Sequence, residues 1–161
     1  MLSSNSKLAK HLNLLPHPEG GFYRETYRAE EVITNRHGQS RNVCTSIYYL
    51  LENNDKSHFH RIQSDELWYF HQGQSLEILY IDQGQLHTVL LGNDFESGAV
   101  PSFCIRAGLW FAARVKDGKG FGLVSCTVAP GFDFADFELA KRAELISEFP
   151  HLKNVIEEFT K

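Results

Sequence analysis

Between Val43 and Val128 the chain is broken every few residues by glycine, asparagine or aspartate, and the runs between those breaks are short and rich in β-branched and aromatic residues. Such runs read as strands. They fall at residues 43–51, 66–70, 76–81, 86–91, 103–106, 109–115 and 121–128, with an earlier one at 22–28. Asn53-Asn54-Asp55, Asp82-Gln83-Gly84-Gln85 and the polar stretch 35–40 supply turns. The expectation is an all-β fold, a sandwich or a barrel. No repeat or linker divides the 161 residues, so residues 1–161 are read as one domain. A chain of that length buries roughly two thirds of its unfolded surface and needs no metal or disulfide to fold.

The flanks follow a different period. Leu8, Leu12 and Leu15 recur at helical spacing behind Ser and Asn, which suit an N-cap, and Pro16, Pro18, Gly20 and Gly21 end that helix, predicted over residues 4–15. Asp133-Phe134-Ala135-Asp136 resembles a capping box and predicts a helix with Leu139, Ala143 and Ile146 on one face. Pro150 breaks it, and Leu152, Val155, Ile156 and Phe159 line a second. These helices are read as packing elements.

Charge and cysteine usage exclude several classes. Sixteen Lys and Arg against twenty Asp and Glu give a net charge of −4, without the basic stripe of a nucleic-acid binder. No run of about eighteen apolar residues predicts a membrane span. The first residues lack the basic-then-apolar build of a secretory signal. Cys44, Cys104 and Cys126 form no CxxC pair, so a reducing, cytoplasmic setting is the simpler expectation, with the thiols as small buried hydrophobes. Gly-x-Ser-x-Gly is absent, and no GKS or GKT follows Gly20-Gly21.

The stretch from Ser57 to Gly73 carries the candidate chemistry. On a regular strand His58 and His60 point the same way, about 6.5–7 Å apart at Cα. Two imidazoles and a carboxylate from the next strand make a 2-His-1-carboxylate set, which suits a divalent metal with open positions. Alternation favours Glu66 over Asp65 as that carboxylate, since Glu66, Trp68 and Phe70 then share a face. Those aromatics, with Trp110 and Tyr49, would line a small-ligand cavity. His71 falls on the opposite side of the sheet, and His11, His17, His37, His87 and His151 are read as surface or capping residues. Arg24 and Glu25 reach either the cavity mouth or a surface ion pair.

This stretch resembles the first motif of the cupins, His-x-His followed after a short gap by Glu and then by Gly. Glu66 and Gly73 keep the family's six-residue gap, while five residues separate His60 from Glu66. The second motif has its counterpart in Arg106-Ala107-Gly108-Leu109-Trp110-Phe111, with Phe111 standing where the last metal-binding His would be. A more specific resemblance is to the cupin subgroup catalogued as DUF985, or cupin type 5. It is carried by His17-Pro18-Glu19-Gly20-Gly21-Phe22-Tyr23-Arg24-Glu25-Thr26-Tyr27, by Ser57-His58-Phe59-His60, by Gly108-Leu109-Trp110-Phe111-Ala112-Ala113, and by the run from Thr127 to Glu138. It implies a jelly-roll β-barrel with short N-terminal and C-terminal helices, and a homodimer. The activity of that family is not established.

Three functions follow as alternatives. In the first, His58, His60 and Glu66 hold iron, manganese, nickel or zinc, which polarises a substrate oxygen. In the second, a metal-free site resembles the epimerase and isomerase branch of the cupins, with a histidine such as His60 as general base and Glu66 or a tyrosine returning the proton. In the third, the cavity binds a polar or sugar-like metabolite without catalysis.

Overall fold

The computed structural model describes residues 6–161. Ser4 and Asn5, at the start of the expected first helix, lie outside the described residues. That helix, α1, covers Lys7–His11; the Ser6 side chain caps it by accepting from the Ala9 N–H. Asn13, at positive φ, then turns the chain out of the helical path. Thirteen strands follow: β1 (Leu15–Pro16), β2 (Phe22–Arg28), β3 (Val32–Thr34), β4 (Ser40–Asn42), β5 (Thr45–Glu52), β6 (Lys56–Arg61), β7 (Asp65–Gly73), β8 (Leu76–Asp82), β9 (Gln85–Leu91), β10 (Ser102–Ile105), β11 (Trp110–Val115), β12 (Phe121–Ala129) and β13 (Glu138–Leu139). Helices α2 (Arg142–Glu148) and α3 (Lys153–Glu158) end the chain.

Two antiparallel sheets face each other. One runs β1-β2-β5-β12-β7-β10, the other β13-β6-β11-β8-β9, and β3-β4 is a separate hairpin. The fold is mostly β, as expected, but the sheets do not close into a barrel: each ladder ends at its own edge strands. Two of those edges, β1 and β13, are only two residues long, which leaves little unpaired backbone to extend the sheet.

Among the described residues three apolar clusters hold these layers. Between the sheets lie Tyr49, Trp68, Ile78, Phe111 and Val124, among others. Outside the five-stranded sheet, Phe59, Leu79, Trp110 and Ala112 pack under Leu145, Ile156 and Phe159 of the C-terminal segment. Outside the six-stranded sheet, Leu50 and Leu123 pack under Ala9 and Leu14. Each large side chain buried completely is worth roughly 1.5–3 kcal/mol of transfer energy, so sealing both outer faces with helices is a substantial part of the stability.

The C-terminal boundary departs from expectation. Asp133 does accept from the Ala135 N–H, but this opens a single 3-10 turn, Phe134–Asp136. Asp136 is drawn instead into a two-pronged pair with Arg41, at 2.7 and 2.8 Å. The chain then extends, so that Leu139 pairs with His60 in β13 instead of joining a helix. Among the described residues no helix is long and apolar enough to cross a membrane.

Candidate functional site

A cavity of ≈ 590 Å³ opens between the sheets, lined by the interior face of β2, β5, β7 and β12, by His60 and Ile62, and by the segment carrying Phe132, Phe134 and Phe137. Its size is in the range of small-molecule sites. The wall is largely aromatic and aliphatic; Arg24, Glu25, Arg28 and Asp133 are its outer charged groups, and His17, Glu19, His60 and Glu66 are its buried carboxyl and imidazole groups.

Glu19 organises the buried groups. The turn from His17 to Gly21 is closed by the His17 N–H on the Gly21 carbonyl and the Gly20 N–H on the His17 carbonyl, both at 3.0 Å. Gly20 has φ +113°, and a Cβ there would lie 2.0 Å from the Lys56 carbonyl oxygen, so only glycine lets the turn press against β6. Pressed there, Glu19 is buried and every polar part of it is used. Its N–H donates to His17 Nδ1 at 3.1 Å. Its carbonyl accepts from the His58 N–H at 2.8 Å and from His58 Nδ1 at 2.6 Å. Its carboxylate takes Ser57 Oγ at 3.1 Å and His60 Nε2 at 2.9 Å.

The His-x-His pair does not share a face. Phe111 pairs with His60 and Ala113 pairs with Ser57, so His58 and Phe59 together oppose the single residue Ala112. This is a β-bulge, and it shifts the alternation by one residue. Ser57 and His60 face the cavity side, Phe59 goes into the outer cluster under Phe159, and His58 is turned to the Glu19 backbone instead of lining the cavity. The bulged N–H groups are still satisfied, by the carbonyls of Glu19 and Phe159.

His60 is held at both nitrogens. Nδ1 donates to the His58 carbonyl at 2.7 Å, and Nε2 meets Glu19. Burial works against charge on this ring, but the Glu19 carboxylate, aided by Glu66, outweighs it and raises its pKa above the ordinary value. The Glu19 carboxyl, despite a burial cost in the other direction, is held at about 2 by His60, with His17 and Ser57 contributing. Glu19 and His60 are therefore a buried carboxylate–imidazolium pair. The His60 ring also lies 4.1 Å from that of Phe111, the residue at the position where the second cupin motif has its histidine.

Glu66 is the second carboxyl, and its environment is the reverse. Burial and then the repulsion of Glu19 push its pKa up to about 7, although His60 and the neighbouring Cys126 and Trp68 favour its charged form. The Trp68 N–H lies near this carboxyl but meets hydrogen-bond geometry with no partner among the described residues. Two carboxyls pushed apart by their surroundings are a common sign of divided acid–base roles.

The other expected site residues are placed as follows. Asp65 lies outside the cavity, accepting from the Ala107 N–H and pairing with Arg106, which leaves Glu66 as the interior acid. Tyr49 and Trp68 are buried in the core between the sheets, the Tyr49 hydroxyl donating to the Gly20 carbonyl at 2.6 Å. Phe70 packs on that core without lining the cavity. Trp110 is on the wrong side of its sheet: it belongs to the outer cluster, with the Arg61 guanidinium 4.3 Å from its ring centre. Glu25 and Arg28 stand at the cavity mouth, joined by two hydrogen bonds at 2.9 and 2.8 Å. His17, expected at the surface, is buried and lines the cavity.

A metal site made of His58, His60 and Glu66 does not fit this geometry. His58 faces away, both nitrogens of His60 are engaged, and among the described residues no three His, Cys, Asp or Glu side chains are arranged to hold an ion.

Comparison with known proteins gives a consistent picture. The model of the family described as "Cupin superfamily (DUF985)" matches residues 6–140. The chain is similar to an uncharacterized protein of Saccharomyces cerevisiae, YML079W, with 29% identity over 93% of this chain and 80% of that protein. Its fold matches a hypothetical protein from Leishmania major at TM-score 0.90, with 35% identity over 97% of this chain and 99% of that one. A protein from Shewanella oneidensis matches at TM-score 0.88, with 42% identity over 96% and 95% of the two chains. Oxalate decarboxylase from Bacillus subtilis matches at TM-score 0.56 with 15% identity, over 89% of this chain and 36% of that one, a likeness of fold alone.

Proposed function

Because the chain belongs to the cupin superfamily, in its DUF985 family, we propose that the cavity between its sheets is the site of a metal-independent acid–base enzyme acting on a small, polar, carbonyl-bearing molecule. The observation that carries this reading is the juxtaposition in one aromatic-walled cavity of a buried Glu19–His60 ion pair and a second buried carboxyl, Glu66. A carboxyl that titrates near neutrality suits moving a proton to and from carbon. Glu66 is the group assigned to that transfer. His60, with both nitrogens committed, fixes positive charge beside the reacting region instead of serving as the base.

The test is deuterium incorporation from D2O into small carbonyl compounds, including hydroxyacetone, dihydroxyacetone and glyceraldehyde, followed by proton NMR. The wild-type protein exchanges a proton next to the carbonyl, and Glu66→Gln loses the exchange by roughly 10²–10⁴-fold. If compounds raise the melting temperature and none exchanges, the cavity is a non-catalytic binding site and the acid–base reading falls.

The homodimer implied by the family resemblance is kept as part of this proposal. Val32 and Ile33 on the β3-β4 hairpin and Tyr27 on β2 are exposed, at 54%, 39% and 55%, and would form an apolar contact surface for a second copy. Light scattering of the wild type and of Val32→Ser/Ile33→Ser distinguishes dimer from monomer.

A further inference from the structure

We propose that His17 is a second substrate-contacting group, a neutral imidazole whose Nε2–H binds the carbonyl oxygen of the molecule on which Glu66 acts. This rests on the acid–base reading above and adds to it the group that polarises the carbonyl.

The tautomer follows from one hydrogen bond. The Glu19 amide N–H can only donate, and it donates to His17 Nδ1 at 3.1 Å. Nδ1 therefore carries a lone pair, and a neutral ring keeps its proton on Nε2. The 3.6 Å approach of Nδ1 to the Glu19 carboxylate is consequently not an ion pair, because no proton lies on that nitrogen. Burial agrees: it lowers the pKa of His17 and outweighs the pull of Glu19, while His60 and Lys161 push the same way as burial.

Nε2–H has no partner among the described residues, although the side chain is only 6% exposed. The sealed, unpartnered side-chain nitrogens of the described residues are the indoles of Trp68 and Trp110. Nε2 is thus not sealed in protein; the ring sits in the cavity wall between Tyr23, Tyr49, Phe134 and Phe137, at 4.6, 6.0, 6.3 and 5.9 Å between ring centres. Among the described residues this imidazole donor in the cavity wall has no acceptor, and an oxygen of the bound molecule supplies one. His60, by contrast, has no nitrogen left to offer.

The chemistry balances without a cofactor. The Glu66 carboxylate takes a proton from the carbon beside the carbonyl. The C–H bonding pair becomes the C=C π bond, and the carbonyl π pair moves onto oxygen, which is stabilised by the His17 N–H. Glu66 then returns a proton to the same carbon as the oxygen pair re-forms the carbonyl, giving exchange with solvent, or epimerisation when the planar intermediate turns its other face to Glu66 first. A neutral imidazole is well suited to this, since it donates a hydrogen bond without losing a proton. The substrate class is a small carbonyl compound with an acidic adjacent C–H.

The test uses full-length protein labelled with 15N-histidine and hydroxyacetone as the probe. Long-range proton–nitrogen spectra should show His17 neutral and protonated at Nε2 through the neutral pH range. Hydroxyacetone should shift that N–H signal, and the signal should vanish in His17→Phe. A His17 protonated at Nδ1 or at both nitrogens overturns the proposal, as does an Nε2–H that hydroxyacetone leaves unmoved. In the deuterium assay His17→Phe should lose roughly 10²–10³-fold, as for removal of an oxyanion donor, and His17→Gln, which retains an N–H, should recover part of it. Should the Phe variant fail to fold, the spectra of the wild type still decide. If Glu66→Gln leaves exchange unchanged while the His17 shift persists, the acid–base role fails and the donor assignment stands.

Discussion

Replacing Glu66 by glutamine should stabilise the protein above neutral pH while removing its chemistry. An ordinary glutamate carboxyl titrates near 4.5, and in this cavity burial and the Glu19 charge move it to about 7. Below pH 4.5 the group is protonated whether the chain is folded or not, and it costs nothing. As pH rises from 4.5 to about 7 the unfolded chain releases the proton and the folded chain keeps it, so stability falls across that window and stays lower above it. Each pH unit is worth 1.36 kcal/mol, so the gap amounts to about 3 kcal/mol. Glutamine has the same shape and never ionises. Urea unfolding of wild type and Glu66→Gln at a series of pH values should therefore give curves that nearly coincide in acid. The variant should be more stable in mild alkali by up to about 3 kcal/mol, or roughly 6–12 °C in Tm for a chain of this size. A stability difference that does not change with pH, or a variant less stable at every pH, refutes the assignment of Glu66 as a strained interior carboxyl.

Glu19→Gln should act in the opposite sense: the carboxyl held at about 2 contributes about 3 kcal/mol at neutral pH, a contribution lost as pH falls from 4.5 toward 2, and the variant should also drop the pKa of His60, read by NMR titration. Gly20→Ala forces a Cβ to 2.0 Å from the Lys56 carbonyl and should lower stability by more than about 1 kcal/mol and displace Glu19, seen as loss of the raised His60 pKa. Adding iron(II), manganese, nickel or zinc to chelator-treated protein should leave Tm unchanged, whereas an ion bound at a hundred times its Kd would add about 2.7 kcal/mol.

The strands were legible because their evidence is local. Alternation and turn residues place β5, β7, β8, β9, β11 and β12 within a few positions of their bounds, and the phase running back from Trp68 picks Glu66 over Asp65. The phase of β11 was not legible: Trp110, Phe111, Ala112 and Ala113 are all buried, because the C-terminal helices cover the outer face, and a strand apolar on both sides has no pattern to say which side faces in. His58 was misplaced because alternation presumes an unbroken ladder, and a bulge leaves no mark in composition. Glu19 and His17 escaped for a third reason. They reach the site through a turn that contacts Ser57, His58 and His60 nearly forty residues on. The signal was Gly20-Gly21 directly after a charged residue, a place where the backbone comes close to something and carries that residue inward.

The additional residue in β6 works as a frame shift written in the pleat. With the same letters and a regular ladder, two imidazoles would stand together on one wall, an arrangement that captures ions. With the insertion, a hydroxyl takes one of those places and the displaced ring becomes a bracket for the neighbouring turn. Two histidines two residues apart in a sequence are therefore not two histidines on one wall: the ladder opposite them decides, and here it separates them.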